Sequence, residues 1–451
     1  MVAKVARLIS RIILCFTVLT GLFCKPVNAE SMTLISDAET QNFLAEIIRP
    51  LYRAAGVNFD ARKIFIVNDN SLNAFVSDGN YMFVHTGTLI EAQNTNELSG
   101  ILAHETGHIM GGHIVRQKLK LQKMQYVMLG SMIAAGAAAI STGRGDAAMA
   151  VMLGSQSSAL NSILHYQTQE ERSADESAIK LLSQTKQSTQ GLQNFMNKIR
   201  KRNALSGIAE SPYFRTHPMT SERISHFAEA SKNNHFSTQH PLDEKFALIK
   251  AKLSAFLLDR QKVARMYPDS NDSLASRYAQ SILAFRQNDI TKALRLADGL
   301  IAKQPNNPYF HELKGQFLFE SGRVKASVAE YETALKLLPN NYLLQLSLAQ
   351  SLLENNPSNA EVKRIINLLQ KSLITEQTPI AWQLLSRAYD MNNQRAASLY
   401  AAAEFSYGMD NLEIAQKQLE NARKAGADKS LNLKISDLEQ RIKEDLKERG
   451  F

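Results

Sequence analysis

Two prolines, Pro305 and Pro339, stand 34 residues apart, and Ala293 and Ser327 share that offset. A period of this length constrains the fold more than any other feature. One unit is too short to bury its own apolar face, so successive units must stack on one another to build a core. The unit holding Pro308 to Pro339 has a small residue at Gly315, a turn at Gly322, and Tyr331 and Ala334 on one helical face. Pro379 opens another with Trp382-x-x-Leu385-x-x-x-Tyr389, and a last helical pair surrounds Ala403, Ala415, Leu419 and Ala422. The spacing predicts about four helical units from Phe246 to Leu446, the third and last fitting loosely, with a non-repeating helical bundle as the alternative.

The repeats leave more than half of the 451 residues to another domain. With 44% apolar and 21% charged residues the composition is that of a globular protein, which excludes wholesale disorder and a polytopic membrane protein. Lys4, Arg7 and Arg11 precede an apolar run over 12–24 and a Val27-Asn28-Ala29 site, so residues 1–29 read as a cleavable secretory signal. The segment holds four of the 52 basic residues and no acid, so removing it lowers the formal charge from +9 to +5. That is too weak a charge to argue for nucleic acid. Both cysteines, Cys15 and Cys24, also lie there, so an exported mature chain has no thiol. Cysteine proteases, thiolate metal sites and disulfides are excluded.

Between 36 and 230 the pattern is mixed. A helical stretch holds Phe43, Ile47, Ile48, Leu51 and Tyr52, and extended runs follow at 64–67 and 73–85, the second with an Asp78-Gly79 turn. That second run is the expected edge strand for a peptide substrate, which would align on it by main-chain pairing. From Asn94 the period becomes helical, with Leu98, Ile101, Leu102, Glu105 and Ile109 on one stripe and Asn94-x-x-Glu97 as a capping box. Residues 126–162 are rich in Ala, Met and Gly, and read either as a tightly packed helical pair or as a surface for peripheral membrane or client contact.

The chemistry sits on the helix after Asn94. His104-Glu105-Thr106-Gly107-His108 places two imidazoles one turn apart, offset by about 40°, so both can reach one zinc ion per chain. Glu105 then has the position of a general base that takes the proton of the attacking water. A third ligand is required. On a continued helix His113 would point about 180° from His104, which makes it a solvent-facing or hydrogen-bonded helix histidine. The better candidate is a carboxylate on a second helix, where Glu171, Asp175 and Ala178 share a face, with Glu170 or Glu176 as alternatives to Glu171. Asp175, one turn on, would accept a hydrogen bond from the other nitrogen of a ligating histidine.

His104-Glu105-x-x-His108, then Glu171-x-x-x-Asp175, then Thr216-His217-Pro218 with Glu222-Arg223-Ile224, resemble the M48 family of zinc metallopeptidases over roughly 36–230. The tail resembles a tetratricopeptide array. These resemblances imply a gluzincin-type α+β domain, mostly α with a small sheet, over 30–235 and an all-α repeat domain over 246–451. His217 would approach the metal, as a donor to the substrate oxyanion or as a fourth ligand that displaces water; a capped turn is the plainer reading. Arg223 would anchor the His217 loop or pair with an active-site carboxylate, unless it forms a surface salt bridge.

With the signal, the whole mature chain is similar to periplasmic, repeat-bearing members of the family. That similarity implies maturation and degradation of outer-membrane proteins, with unfolded or misassembled proteins as clients and the repeats contacting the assembly machinery. The expected activity is zinc endopeptidase. The alternative is a chaperone or scaffold whose metal site is latent.

Overall fold

A computed structural model of the protein describes residues 32–120, 122, 167–206, 213, 216–218 and 220–449. The expected signal at 1–29 and the apolar segment 126–162 lie outside the described residues. The described residues are mostly α-helical, with one small sheet among them, and fall into two compact units, Thr33–Ser254 and a second from Ala255 onward.

The first unit is built on a sheet of strands β1 (Leu34–Ile35), β2 (Ile64–Val67), β3 (Ala74–Ser77) and β4 (Tyr81–His85), in the order β1-β2-β4-β3. β2 and β4 run parallel, with Ile66 opposite Val84, and the other pairs are antiparallel. The aliphatic residues Ile64, Ile66, Val67, Met82 and Val84 are buried in the core of this unit, as are Phe43, Leu44, Ile47, Ile48 and Leu51 of helix Ala38–Ala55. β3 forms one edge and β1 the other, and Gly79 and Asn80 turn the chain back from β3 into β4 at φ 80° and 62°.

Helix Thr95–Met110 starts at Asn94, whose side chain accepts from the Glu97 amide at 3.0 Å. The Glu97 carboxylate reaches one residue beyond a capping box, accepting from the Gln93 amide at 2.9 Å and from Lys198 Nζ at 2.7 Å. Every residue from Thr95 to His108 is buried, so this helix has no solvent face, and its polar residues must be partnered or functional.

Helix Asp243–Leu257 runs across the division between the units, although the sequence suggests a break at 235–246. The cause is local. Phe246 stacks on Phe43 with ring centroids 5.3 Å apart, and Lys252 pairs with Asp37 and Glu39. The first turns of this helix therefore complete the core of the first unit.

The second unit consists of antiparallel helix pairs: Leu274–Arg286 with Ile290–Lys303, Pro308–Glu320 with Val324–Leu337, Tyr342–Glu354 with Asn359–Thr375, Pro379–Met391 with Arg395–Gly408, and Leu412–Lys424 with Lys429–Glu448. The first helices start at 274, 308, 342, 379 and 412, so the 34-residue period holds for three pairs and then loosens. The 17-residue helix Asn359–Thr375 lengthens the third unit. There are thus five pairs among the described residues, where the sequence suggests about four. A Cβ at residue 315 would sit 3.1 Å from the Tyr331 ring, which explains the small residue there. No helix among the described residues is long and apolar enough to cross a membrane.

Candidate metal centre

His104 and His108 project from the same face of the buried helix, and Gly107 between them lets a neighbour in. A Cβ on Gly107 would meet the Ala174 carbonyl at 2.7 Å, so any larger residue would push away the helix over 167–184. That helix carries Glu171 into contact with both histidines and Asp175 into contact with His104. His104 Nε2 and His108 Nε2 lie 3.1 Å apart, and Glu171 places Oε2 3.4 Å from the first and Oε1 3.3 Å from the second. His217 adds Nδ1 at 2.9 Å from Glu171 Oε1 and 3.3 Å from His104 Nε2. All four side chains are buried.

Two Nε2 atoms at 3.1 Å cannot both donate a proton to each other. Nitrogen and oxygen lone pairs that converge in this way suit a cation. A tetrahedral ion with ligand bonds of about 2.0–2.1 Å needs donors about 3.3 Å apart. The contacts of 2.9–3.4 Å lie close to this, and one ligand atom from each of the four residues falls within 4.8 Å of all the others. Glu105 stands beside the cluster rather than in it. Both its carboxylate oxygens are buried without a hydrogen-bond partner among the described residues, and Oε1 lies 3.6 Å from His217 Nε2.

The surrounding residues hold this arrangement. Asp175 Oδ1 is 2.9 Å from His104 Nδ1, which aims Nε2 at the cluster. Arg223 donates to both Asp175 oxygens, at 2.6 and 2.8 Å, to the Pro218 carbonyl at 2.8 Å, and sits 3.0 Å from Glu171 Oε2. It therefore anchors the His217 loop and pairs with the site carboxylates, and the surface salt bridge is ruled out by its burial. His217 is likewise fixed from within, and is not the cap of a surface turn. Glu170 and Glu176 stay outside the cluster. Glu170 faces Arg116 at 3.6 Å, and Glu176 is exposed beside Arg172.

Two neighbours escape sequence reasoning. Tyr213 is fully buried, with its ring 4.6 Å from that of His217 and its hydroxyl unpartnered among the described residues. Its four-residue spacing from His217 is the only signal that could have flagged it. His113, read as solvent-facing or hydrogen-bonded, is buried and takes the second form, with its Nδ1 2.9 Å from His108 Nδ1, although its direction was not foreseen.

Electrostatics follow from burial and from these contacts. Burial raises the Glu105 carboxyl above its ordinary value, only partly opposed by His217 and His104. Burial would also raise Glu171, but His217 and the hydrogen bonds from His104, His108 and His217 hold it well below the usual range. Burial would lower His104, yet Asp175 and Glu171 push it up to about 10, while burial takes His108 down to about 3. Glu171 and Asp175, both held below the usual carboxylate range, thus favour positive charge at the centre.

A buried carboxylate beside a cluster able to hold a metal is the arrangement of a metalloprotease, and residues 38–231 match the model of Peptidase family M48. That segment is thus similar to the M48 peptidases, and a helical repeat array follows it in the chain. Over 398 residues the chain is 24% identical to the beta-barrel assembly-enhancing protease of Yersinia pestis, covering 83% of this chain and 76% of that one. It is 23% identical over 359 residues to the beta-barrel assembly-enhancing protease of Escherichia coli (strain K12), covering 75% and 70%. A shorter match, 27% over 210 residues, joins 46% of this chain to 76% of Metalloprotease YcaL of the same strain.

Proposed function

We propose that the chain is a zinc endopeptidase of the periplasm that acts in outer-membrane protein assembly and quality control. It degrades misfolded or stalled clients, and its repeats bind assembly partners. The observation that carries this reading is the convergence of His104, His108 and Glu171 at tetrahedral separations, with Glu105 beside them. The place of action and the clients rest on the likeness to the beta-barrel assembly-enhancing proteases.

His104 Nε2, His108 Nε2 and a Glu171 oxygen would hold the ion, which when bound supplies a Lewis acid for the scissile carbonyl. Glu105 takes the proton of the attacking water and passes it to the leaving amine. Asp175 fixes the tautomer of His104, and Arg223 ties that aspartate to Glu171 and to the loop after His217. The side of β3 that pairs with no strand among the described residues is the place where an extended peptide would add as a further strand.

A second reading, a scaffold with a latent centre, is favoured by one observation. His217 Nδ1 takes a fourth corner of the donor cluster, which is the position a catalytic metal keeps open for water. Cleavage of casein by purified protein separates the possibilities. If His217 is a lock, His217→Ala raises cleavage, and Glu105→Gln added to it abolishes the gain. If His217 stabilises the oxyanion, His217→Ala retains zinc and loses about 10²–10³-fold in turnover. Absence of cleavage in both the wild type and His217→Ala, with zinc present, would leave the scaffold.

A further inference from the structure

The motif helix ends at Met110, two residues after His108. Gly111 N–H bonds the Gly107 carbonyl at 2.9 Å, Gly112 N–H bonds that of Ile109 at 3.0 Å, and Gly112 adopts φ 64°, where a residue with a Cβ is strained. A new helical run then begins at 113. This break reverses the expectation for His113. On a continued helix its side chain would point away from His104; instead the turn swings it back against the motif, with Nδ1 2.9 Å from His108 Nδ1 and rings at 83°. Gly111 makes room for it, since a Cβ there would lie 2.2 Å from His113 Nε2. Arg116 closes the turn by donating to the Gly111 carbonyl.

We propose that His113 is a positioning residue that orients His108 by accepting a hydrogen bond from its Nδ1–H. The inference rests on the reading of His108 as a metal ligand through Nε2. A neutral imidazole that offers Nε2 to a metal carries its proton on Nδ1. That proton needs an acceptor, and among the described residues His113 Nδ1 lies in reach at 2.9 Å. His113 must then hold its own proton on Nε2, which is buried with no hydrogen-bond partner among the described residues. A buried donor left orphaned is uncommon, and here it accompanies the fixed orientation of the other nitrogen. The two ligating histidines are thus backed differently, His104 by the carboxylate of Asp175 and His108 by a second ring. Partners of this kind typically change metal affinity by about 10–100-fold.

The test uses the full chain, with zinc affinity measured by chelator competition and the absorption spectrum of the cobalt(II)-substituted protein as a report of ligand geometry. His113→Phe should weaken zinc about 10–100-fold and alter the cobalt bands. His113→Asn sets an acceptor oxygen where Nδ1 stands and should restore both to within a few fold of wild type. Gly111→Ala, which displaces the ring without changing it, should reproduce the His113→Phe result. Native affinity and spectrum in His113→Phe would overturn the proposal, as would equal losses in the Phe and Asn variants, the mark of a packing role alone. His108→Ala serves as the control. Full zinc retention in that variant would remove the metal reading itself, and the clamp with it.

Discussion

The two units bury different things. In the first, seven ionisable side chains crowd one region of the core: His104, Glu105, His108, Glu171, Asp175, His217 and Arg223 are all buried. In the second, the described core is largely aliphatic and aromatic, and buried serines such as Ser281 and Ser327 satisfy themselves on nearby carbonyls. Its ion pairs, such as Arg364–Glu332 and Arg395–Asp390, lie at the surface, with Glu404 held by Tyr400 and Arg441 as a buried exception. A repeat array gains stability from many similar contacts between neighbours. The catalytic unit gives some up by desolvating charges, a cost repaid only by complete pairing or by a bound cation.

This contrast can be sharpened by substitution. The largest expected effect is chemical: Glu105→Gln should lower peptide cleavage by about 10²–10⁴-fold and leave metal content unchanged, because proton transfer and ligation are separate tasks. A variant that retained activity would show that the orphaned carboxylate is not the base. Next comes Arg223→Ala, which strips Asp175 and Glu171 of their shared cation and should destabilise the first unit by about 3–5 kcal/mol. The single tryptophan, Trp382, lies in the second unit, so its fluorescence on urea unfolding should keep its wild-type midpoint while circular dichroism gains an earlier transition. Coincident shifts in both probes would mean that the units unfold as one.

Phe246→Ala should likewise cost the first unit about 3–5 kcal/mol, through loss of the stack on Phe43. If the tryptophan transition moved instead, the start of helix Asp243–Leu257 would belong to the repeats. Smallest of all, Arg364→Ala removes an exposed pair and should change stability by only about 0.2–1 kcal/mol, as read from the same fluorescence curve. A cost as large as that of Arg223→Ala would erase the distinction between the units.

Legibility in the sequence follows the same line. The array was readable because a solenoid repeats its own local pattern: Gly315, Tyr331 and Ala334 pack one pair of helices, and the period shows it. His104, Glu105 and His108 were readable because four-residue spacing is itself a geometry on a helix. Glu171 and Asp175 needed one further inference, that a second face with one-turn spacing answers the first. What stayed hidden depends on how the chain turns. His113 was misplaced because Gly111-Gly112 ends the helix that its position was counted along. Tyr213 carries no pattern beyond its spacing to His217, and the allegiance of Phe246 is a tertiary contact with a residue two hundred positions earlier.

The central claim is that distant segments build one metal centre, with Glu171 brought by the close approach of a helix at Gly107. The most direct test is the metal content of purified Glu171→Gln, measured by mass spectrometry beside the wild type and Glu105→Gln. The account predicts about one zinc per chain in the wild type and in Glu105→Gln, and loss of zinc in Glu171→Gln. A full equivalent of zinc in Glu171→Gln would contradict it and move the third ligand elsewhere.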